Sequence, residues 1–374
     1  MSKILYTATV LSHICQFHLP YLEELQKRGH VVHVAARDNL NEKNGLKLQF
    51  TDRYIDIPFQ RSPKNMRNLT AYHRLKTLID QERYDLIVCN TPMGGMITRL
   101  AAKNARKRGT KVIYIAHGFH FYKGAPKKNW LLFYPVERIM AHLCDTLITI
   151  TQEDFIFARK KFHTNVVHIH GIGVSPERYH PVSIAEQHEM RAAEGLLPND
   201  FVILCTGELN QNKNQATLIE AVSRCRNNIP HLRVLLAGNG SLEAKLKSRV
   251  RELHLEDIVT FLGYRTDLER VVPAVDLIVS CSHREGLPLN ILEGMLCAKP
   301  IVASINRGHN ELVDHKQTGF LFHQNDVSKL SSYIQILYTN TVMKEKMCAS
   351  GNKKATKYTV TSVKQELLPV LLNL

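Results

Sequence analysis

The segment SHREGLPLNILEG holds two carboxylates, Glu285 and Glu293, with seven residues between them. Pro288 lies between the two acids, directly before an apolar run with helical spacing. Proline is favoured at the start of a helix and disfavours helix in the residue before it, so the pattern predicts a helix over 289–295. Carboxylates accept hydrogen bonds from paired hydroxyl groups, which favours a sugar and a ribose as partners. The alternative is a capped surface helix with solvated charges.

The start of that predicted helix is suited to bind phosphate. Its first N–H groups, at Leu289 and Asn290, have no partner inside the helix, and a helix N-terminus attracts negative charge. The predicted strand DLIVSCS precedes it, and open α/β sheets bind ligands beyond the carboxyl ends of their strands. We therefore expect a phosphate above this strand.

Two other strand ends carry weaker phosphate-binding features. In TGELNQNKN a strand ends at Gly207, and Lys213 follows where a helix begins, so that it could neutralise a pyrophosphate as a point charge. In LLAGNGSLE a strand is followed by Gly238 and Gly240. This last signal is less specific, because many strand-to-helix turns need glycine.

These residues need sheets to position them, and the chain offers two sets of buried strands. The predicted strands are KILYTATV, HVVHVAA, YDLIVCN, KVIYIAH, DTLITI and VVHIH in the first half, and FVILCTG, LRVLLAG, DLIVSCS, PIVAS and GFLF in the second. Amphipathic stretches such as PYLEELQKRG separate them and end in glycine. Continuously apolar strands that alternate with helices predict parallel sheets covered on both faces. The predicted fold class is α/β, with two Rossmann-like parallel-sheet domains facing an interdomain cleft.

The boundary between the domains is predicted in HGIGVSPERYHP, where two glycines and two prolines break both periodicities. This gives an N-terminal acceptor-side domain over 1–172 and a C-terminal donor-binding domain over 173–357. The closing segment 358–374 is expected to be helical, to be interrupted by Pro369, and to be able to pack back on the first domain.

Length and composition describe a globular protein. A chain of 374 residues favours two domains. It has no run of 18 apolar residues, so no membrane span is predicted, and the apolar start is interpreted as a strand rather than a signal peptide. The eight cysteines include no close pair and most lie in apolar runs, which favours reduced, buried thiols in a cytosolic protein.

Positive charge is concentrated in the first half of the chain. Residues 1–175 contain 26 Lys and Arg against 13 Asp and Glu, whereas residues 176–374 contain 23 against 21. This favours an anionic membrane face, a phosphorylated acceptor or nucleic acid as partner, with a generally basic, soluble protein as the alternative. Segment 61–67 adds basic residues, and segment 121–140 combines basic with aromatic and apolar residues, as at a membrane interface. Those residues are Lys123, Lys127, Lys128, Trp130, Leu131, Leu132, Phe133 and Tyr134.

Taken together, these segments resemble the retaining glycosyltransferases of family four, which have the GT-B fold. The resemblance covers nearly the whole chain. Its most specific part is EGLPLNILEGMLCAKPIVAS, which is similar to the family's pair of glutamates and the strand after it, while HNELV and GFLF match the pattern that follows. FHLPYLEELQKRGHVVHVAA, HGFHFYKGAP and GELNQNKN are similar to the subset that elongates lipid-linked surface polysaccharides.

The resemblance implies roles in a donor site. Glu285 would contact hydroxyl groups of the transferred sugar, Glu293 the ribose hydroxyl groups, and Lys213 the diphosphate. The other donor-binding residues are Leu287, Leu289 and Asn290 through their backbone amides, Tyr264 and Arg265 near the nucleobase, and Gly238.

In the first half, the resemblance points to the loop TVLSHICQFHLP, which lacks the glycine often found there in the family. Ser12 and His13 would therefore approach the donor by side chain or amide, and His18 opens the next helix. His117 follows the strand VIYIA and precedes Gly118. It resembles the histidine that contacts the transferred sugar and supports catalysis.

One position departs from the family pattern. Glu208 stands where the family usually has an arginine that holds the pyrophosphate, and a carboxylate there would repel phosphate. We expect Glu208 to point away or to pair with a neighbour, with Arg284 or Arg307 as a substitute cation. No metal site is predicted, because the chain has no Asp-x-Asp motif and the histidines of VVHIH have no further ligand at suitable spacing.

The resemblance therefore implies a retaining, metal-independent hexosyltransferase without a cofactor. It would move a hexose or N-acetylhexosamine from a nucleoside-diphosphate sugar, expected to be UDP-linked, to a polyprenyl-diphosphate-linked glycan in exopolysaccharide or capsule biosynthesis. Its place would be the cytoplasm, peripherally at the inner face of the cytoplasmic membrane, with no nucleic acid as partner. A sugar-nucleotide epimerase of the same fold and a non-catalytic nucleotide-sugar binding protein are the alternatives.

Overall fold

The computed structural model describes residues 1–42 and 45–372. Its contacts divide the chain into two compact units: Met1–Gly173 with Val360–Leu374, and Val174–Thr359. Each unit is built around one parallel sheet.

The first unit contains a seven-stranded sheet. Its strands are β1 (Lys3–Val10), β2 (Val31–Arg37), β3 (Arg53–Asp56), β4 (Leu86–Asn90), β5 (Lys111–Ala116), β6 (Thr146–Thr149) and β7 (Asn165–His168). They pair in parallel in the order β3-β2-β1-β4-β5-β6-β7. The helices that follow them are α1 (Leu11–Phe17), α2 (Leu19–Lys27), α3 (Arg67–Glu82), α4 (Pro92–Ala101), α5 (Lys103–Lys107), α6 (Lys127–Ala141) and α7 (Gln152–Lys161).

The second unit contains a six-stranded sheet. Its strands are β8 (Phe201–Thr206), β9 (Leu232–Ala237), β10 (Val259–Gly263), β11 (Leu277–Ser280), β12 (Ile301–Ser304) and β13 (Phe320–Phe322). They pair in parallel in the order β10-β9-β8-β11-β12-β13. The helices are α8 (Ile184–Ala193), α9 (Gln215–Cys225), α10 (Glu243–Glu252), α11 (Leu268–Ala274), α12 (Leu289–Leu296), α13 (Arg307–Leu312), α14 (Val327–Thr339) and α15 (Thr341–Ala355).

The central strands explain why the sheets form. Every residue of β4 (LIVCN) and of β8 (FVILCT) is buried, as expected for parallel strands covered on both faces. Each sheet reverses its strand order once, between β1 and β4 and between β8 and β11. Ligands of open α/β sheets bind beyond the carboxyl ends of the strands at such a reversal. A ligand-binding site is therefore expected at the loops that follow β1, β4, β8 and β11.

The predicted architecture of two Rossmann-like parallel sheets is confirmed. The predicted first strand KILYTATV is β1 residue for residue, and FVILCTG contains β8. Two strands, β3 and β10, were not predicted. Both lie at a sheet edge, and both are only partly buried. Such strands need no continuous apolar run, so this signal is weak in their sequences.

The last helix, α16 (Val360–Leu372), lies within the first unit. The carboxylate of Glu366 accepts a hydrogen bond from the backbone N–H of His170. Oε1 of Glu366 also lies 2.6 Å from Nδ1 of the His170 ring. The expectation that Pro369 interrupts this helix is wrong, since the helix continues to Leu372. Proline removes only one main-chain hydrogen bond so near a helix end, while buried leucines hold the last turn in place. These are Leu367, Leu368 and Leu371.

All eight cysteines are free thiols. Seven are buried, and Cys348 is partly buried. This agrees with the prediction of reduced thiols inside the fold.

Candidate active site

Helix α12 begins at Leu289, where the sequence predicts it, and ends at Leu296, one residue beyond the predicted end. Pro288 directly before it is extended, with φ −76° and ψ 112°. No side chain caps the N-terminus of this helix. Ile291 and Leu292 anchor it in the core of the second unit. The helix therefore presents its first N–H groups beyond the carboxyl end of β11 without a side-chain cap.

Asn290 adds a donor to this helix start. Its Nδ2 atom is buried and makes no hydrogen bond to any described part of the protein. An unsatisfied buried donor costs on the order of 1–3 kcal/mol, and few occur in native proteins. The backbone amides and this side-chain amide together form a set of donors that suits an anion.

Lys213 and Glu285, predicted separately as a phosphate ligand and a sugar ligand, form an ion pair. Lys213 Nζ lies 2.7 Å from Glu285 Oε1. The lysine stem passes over Gly207, where an added Cβ would be 2.9 Å from Lys213 Cε. Gly207 also has φ +138°, a conformation that glycine adopts most readily. Glycine at the end of β8 therefore lets the lysine reach the glutamate.

Direct contacts lock the loops after β8 and β11 together. The backbone N–H of His283 donates to the carbonyl of Asn212 at 2.7 Å, and Asn212 Nδ2 donates to the carbonyl of Arg284 at 3.0 Å. From the other side, a Cβ on Gly308 would lie 2.6 Å from the carbonyl oxygen of Gly286. These contacts fix Glu285 against its neighbours on both sides.

Gly238, at the end of β9, packs against the same region. It has φ +144°, and an added Cβ would lie 2.1 Å from the carbonyl oxygen of Gly207. Its glycine character thus has a packing reason inside the unit. Glu208, next to Gly207, has an exposed side chain, and its carbonyl accepts a hydrogen bond from Gln215.

Glu293 is partly buried, one turn into α12. Burial raises the pKa of its carboxyl to about 7, against the lowering effects of a hydrogen bond from Tyr179 and the charge of Arg178. Sequence reasoning missed Tyr179, because it lies in the predicted linker HGIGVSPERYHP. The hydroxyl of this buried tyrosine nevertheless orients the acid assigned to the ribose.

His309 was also missed. It is fully buried at the start of α13, with Nδ1 2.5 Å from the carbonyl oxygen of Ser304 and Nε2 3.0 Å from Ser280 Oγ. Burial lowers the pKa of His309 to about 4, so the ring is neutral at pH 7. It ties the ends of β11 and β12 together behind Glu285. The segment HNELV matched the family pattern, which was the signal available.

Tyr264 and Arg265, predicted near a nucleobase, differ in their surroundings. The Arg265 guanidinium makes four hydrogen bonds to carboxylates, two to Glu194 and two to Asp267, and these bonds raise its pKa. Tyr264 is 53% exposed. Tyr264 therefore offers a ring face to solvent, whereas the guanidinium of Arg265 is committed to its own unit.

In the first unit, three predicted loop histidines come together at the carboxyl ends of β1 and β5. His13 Nε2 lies 3.2 Å from His117 Nε2, although 104 positions separate them. His117 Nε2 also lies 3.1 Å from Oδ1 of Asn90, at the end of β4. One ring nitrogen from each of His13, His18 and His117 lies within 4.8 Å of the others. Asn90 was not predicted, although its place at a strand end was a usable signal.

Burial makes these imidazoles poor bases. It lowers the pKa of His117 to about 4, and burial together with neighbouring imidazoles lowers the pKa of His13 and His18 well below the usual value. A neutral His117 can exchange hydrogen bonds with a hydroxyl group but carries no positive charge. Its neighbour Gly118 has φ +126°, which glycine tolerates best.

Ser12 is buried beside this cluster. Its backbone N–H donates to Asn39 Oδ1 at 3.0 Å, and its hydroxyl oxygen accepts from Asn39 Nδ2 at 2.9 Å. The amide of Ser12 is therefore committed to Asn39 rather than presented to a ligand.

Helix α6 divides the predicted membrane segment between two faces. Trp130 and Tyr134 pack inward against Phe121 and Phe157, so their expected place in the surface patch is wrong. An apolar outer face is exposed, with Leu131 77% and Ile139 61% accessible. Its other members are Leu132, Phe133 and Val136, and the exposed lysines are Lys123, Lys127 and Lys128. In the described ranges, no helix has both the length and the apolar character to cross a bilayer.

Comparison with known proteins identifies the family. The family profile for glycosyl transferases group 1 matches residues 186–357, and the profile for glycosyltransferase family 4 matches residues 21–178. Over 370 residues the chain is 41% identical to the putative glycosyltransferase EpsD of Bacillus subtilis, which spans 98% of this chain and 96% of that protein. The chain belongs to the group 1 glycosyltransferases.

Other glycosyltransferases and their structures extend the comparison. The chain is 31% identical over 271 residues to UDP-Gal:alpha-D-GlcNAc-diphosphoundecaprenol alpha-1,3-galactosyltransferase of Escherichia coli, covering 71% of this chain and 68% of that enzyme. The structure of the Anabaena protein HepE in complex with UDP and glucose aligns with a TM-score of 0.80, covering 100% of both chains at 21% identity. Identity at this level shows the fold, and the predicted GT-B fold is confirmed.

Proposed function

We propose that this glycosyltransferase moves a hexose or N-acetylhexosamine, with retention, from a nucleoside-diphosphate sugar to a polyprenyl-diphosphate-linked glycan in surface polysaccharide biosynthesis. The observation that carries the donor half is the start of α12, where an uncapped helix end and an unsatisfied Asn290 amide stand between two glutamates. The Escherichia coli relative, a UDP-Gal:alpha-D-GlcNAc-diphosphoundecaprenol alpha-1,3-galactosyltransferase, supports a UDP-linked donor and a lipid-linked acceptor.

Each part of the nucleotide matches a group in the second unit. A diphosphate suits the amides of Leu289 and Asn290 and the side-chain amide of Asn290, which are hydrogen-bond donors at the positive end of a helix. Ribose hydroxyl groups suit the carboxylate of Glu293. A nucleobase suits the exposed ring of Tyr264.

The ion pair between Lys213 and Glu285 holds one positive and one negative group that the proposed reaction uses for different parts of the donor. When the bond from the sugar to the diphosphate breaks, negative charge develops on the leaving phosphate oxygen. Lys213 can neutralise that charge, and helix amides stabilise it where it develops. Glu285, released from part of its ion pair, accepts hydrogen bonds from the sugar hydroxyl groups.

Retention follows in this proposal from attack on the face that the diphosphate leaves. The acceptor oxygen forms the new bond to the anomeric carbon, and its proton passes to an oxygen of the departing phosphate. The family resemblance gives neutral His117 a hydrogen bond to the transferred sugar. Lysine and amides supply the electrostatic stabilisation, so no metal ion is assigned to the diphosphate.

The outer face of α6 is proposed to bring the enzyme to the inner face of the cytoplasmic membrane, where its acceptor lies. Leucine, valine and isoleucine side chains there can enter the headgroup region, while Lys127 and Lys128 attract anionic lipids. The positive charge of residues 1–175 acts in the same direction.

The proposal is tested with the purified full-length chain, a panel of sugar nucleotides and a short polyprenyl-diphosphate N-acetylglucosamine. Mass spectrometry should find glycosylated lipid, and NMR of the product should find the anomeric configuration of the donor. An isomerised donor without a lipid product would favour the sugar-nucleotide epimerase, and binding without turnover would favour the non-catalytic nucleotide-sugar binding protein. Glu285→Gln should lose turnover, whereas Glu256→Gln, an exposed loop control, should keep it.

A further inference from the structure

We propose that His13, His18 and His117 form a binding site for a transition-metal ion of the Zn²⁺ type. One ring nitrogen from each lies within 4.8 Å of the others. The site is contained in the first unit and requires neither donor nor acceptor. It goes beyond the proposed transfer reaction but shares His117 with it, so a metal ion on that ring and the proposed hydrogen bond to the transferred sugar compete for one side chain.

The spacing of two of the rings already fits a shared metal. His13 Nε2 and His117 Nε2 are 3.2 Å apart. Two nitrogen ligands of a tetrahedral zinc ion, each at about 2.0–2.1 Å from the metal, stand about 3.3 Å from one another. A hydrogen bond between the two rings explains the same distance, so this pair alone does not decide between the two interpretations.

The surroundings of His18 favour a shared metal ion over a simple hydrogen bond between His13 and His117. Its side chain has 0% exposure, and both of its ring nitrogens are buried without a hydrogen-bond partner among the described residues. Its ring centroid lies 5.3 Å from that of His13 and 5.5 Å from that of His117. Tyr6, whose ring centroid is 5.9 Å from that of His18, also has a buried hydroxyl without a partner.

Buried polar atoms without partners are rare, and several in one place indicate a bound group. A hydrogen bond between His13 and His117 leaves His18 unsatisfied. A metal ion held by all three rings uses one nitrogen of His18 and accounts for the convergence of the cluster. A metal ion on His117 Nε2 would replace the hydrogen bonds of that nitrogen to Asn90 Oδ1 and to His13 Nε2.

The ligand set selects the type of metal. Imidazole nitrogen suits Zn²⁺, Cu²⁺ and Ni²⁺, whereas Mg²⁺ and Ca²⁺ prefer oxygen ligands. Three protein ligands also leave a coordination position open for water or another small ligand. The site should therefore have a much higher affinity for Zn²⁺ than for Mg²⁺.

The test measures binding of Zn²⁺ itself to the metal-stripped full-length protein, by competition with a chromophoric chelator. One ion per chain is expected, and Mg²⁺ in excess should not displace it. His18→Ala and His13→Ala should each weaken binding by at least about tenfold, the order of effect seen even for groups that only support a metal ligand. His168→Ala, a histidine of the same unit outside the cluster, should bind like the wild type.

His13 is only partly buried, so His13→Ala keeps the test usable if His18→Ala does not fold. The Co²⁺-loaded protein should show the visible absorption of tetrahedral cobalt, and the two variants should lose it. Absence of stoichiometric binding would overturn the proposal. So would binding that survives His13→Ala and disappears on alkylation of the cysteines. Sugar transfer is measured separately on the metal-stripped wild-type protein, so that failure of metal binding is distinguished from failure of the proposed transfer.

Discussion

Lys213 Nζ and Glu285 Oε1 lie 2.7 Å apart, although 72 positions separate the two residues in the chain. Neither side chain is therefore independent of the other in the free protein. Lys213, assigned to the leaving phosphate, and Glu285, assigned to the sugar, pair with each other in the free protein. In the proposed function, donor binding breaks at least part of this ion pair.

This relationship predicts a strongly non-additive double-mutant cycle. Lys213→Ala and Glu285→Ala should each lower kcat/KM by about 10²–10³-fold, because each removes a group that acts on charge or position in the transition state. The double variant should lose much less than the product of the two. Steady-state kinetics and thermal unfolding of the four proteins check this, and fully multiplicative losses would contradict it.

Glu293 predicts a pH dependence of donor binding. Its pKa is raised to about 7, and a ribose diol donates hydrogen bonds best to the ionised form. The affinity for UDP-glucose should therefore rise with pH, by up to about tenfold per unit below pH 7, and level off above it. Calorimetric titration across this range measures the effect. Glu293→Gln should bind weakly at every pH, and an unchanged slope in that variant would exclude Glu293 as the titrating group.

The same shift has a consequence for stability. An isolated glutamate ionises near pH 4.5 and Glu293 in the folded protein near pH 7, so the folded state holds the proton more tightly between these values. Ionisation at Glu293 therefore lowers the free energy of unfolding as pH rises across this window. Glu293→Gln should melt at a higher temperature than the wild type at pH 8 and show a smaller difference at pH 5. The reverse order at pH 8 would contradict the burial argument.

Tyr179→Phe should move the pH midpoint of donor binding upward. The tyrosine hydroxyl lowers the pKa of Glu293 by hydrogen-bonding its carboxylate, so its removal leaves the burial effect less opposed. Tyr333→Phe is the matched control, because Tyr333 is a buried tyrosine of the same unit that stacks on Phe320. A midpoint that stays in place in Tyr179→Phe would show that the hydroxyl does not act on Glu293.

Gly238 and Gly195 both have positive φ, but an added side chain would be crowded only at Gly238. Gly238 has φ +144° and an added Cβ would lie 2.1 Å from the Gly207 carbonyl, whereas Gly195 has φ +69° and nothing within 4 Å. Gly195→Ala should cost about 1 kcal/mol of unfolding free energy. Gly238→Ala should cost about 1–3 kcal/mol more and weaken donor binding, because the β8 loop must move. Denaturant unfolding and donor titration measure both, and equal losses would contradict the crowding.

The outer face of α6 predicts membrane binding that depends on charge. Lys127→Glu with Lys128→Glu should lower binding to anionic vesicles by at least about tenfold, since each basic residue near the surface contributes about 1 kcal/mol. Lys160→Glu with Lys161→Glu, exposed lysines on α7 of the same unit, are the matched control. Vesicle flotation measures binding. Equal loss in both double variants would indicate a general effect of net charge rather than docking through α6.

The fold was largely readable from the sequence because its central strands are buried on both faces. KILYTATV and FVILCT are mostly apolar, and both form inner strands in the structure. β3 and β10 were not predicted from the sequence, because these edge strands are partly exposed and lack a fully apolar pattern. Burial, not strand propensity alone, made the pattern visible.

The sequence predicted those parts of the candidate site that depend on residues close together in the chain. The start of α12 follows from Pro288 and the apolar run after it, and the structure confirms that start. The pairing of Lys213 with Glu285 and the meeting of His13 with His117 join residues far apart in the chain. No spacing rule encodes such contacts. The usable signal is that these residues follow strands whose carboxyl ends meet at one sheet edge.

The position of α16 has a consequence for the order in which the protein can fold during translation. The second unit, residues 174–359, is continuous and leaves the ribosome complete, whereas the first still lacks α16 at that stage. His170 meets Glu366 only after residues 360–372 have emerged. The unit that begins the chain is thus the one whose packing is finished last, against the usual N-terminal-first order of domain folding.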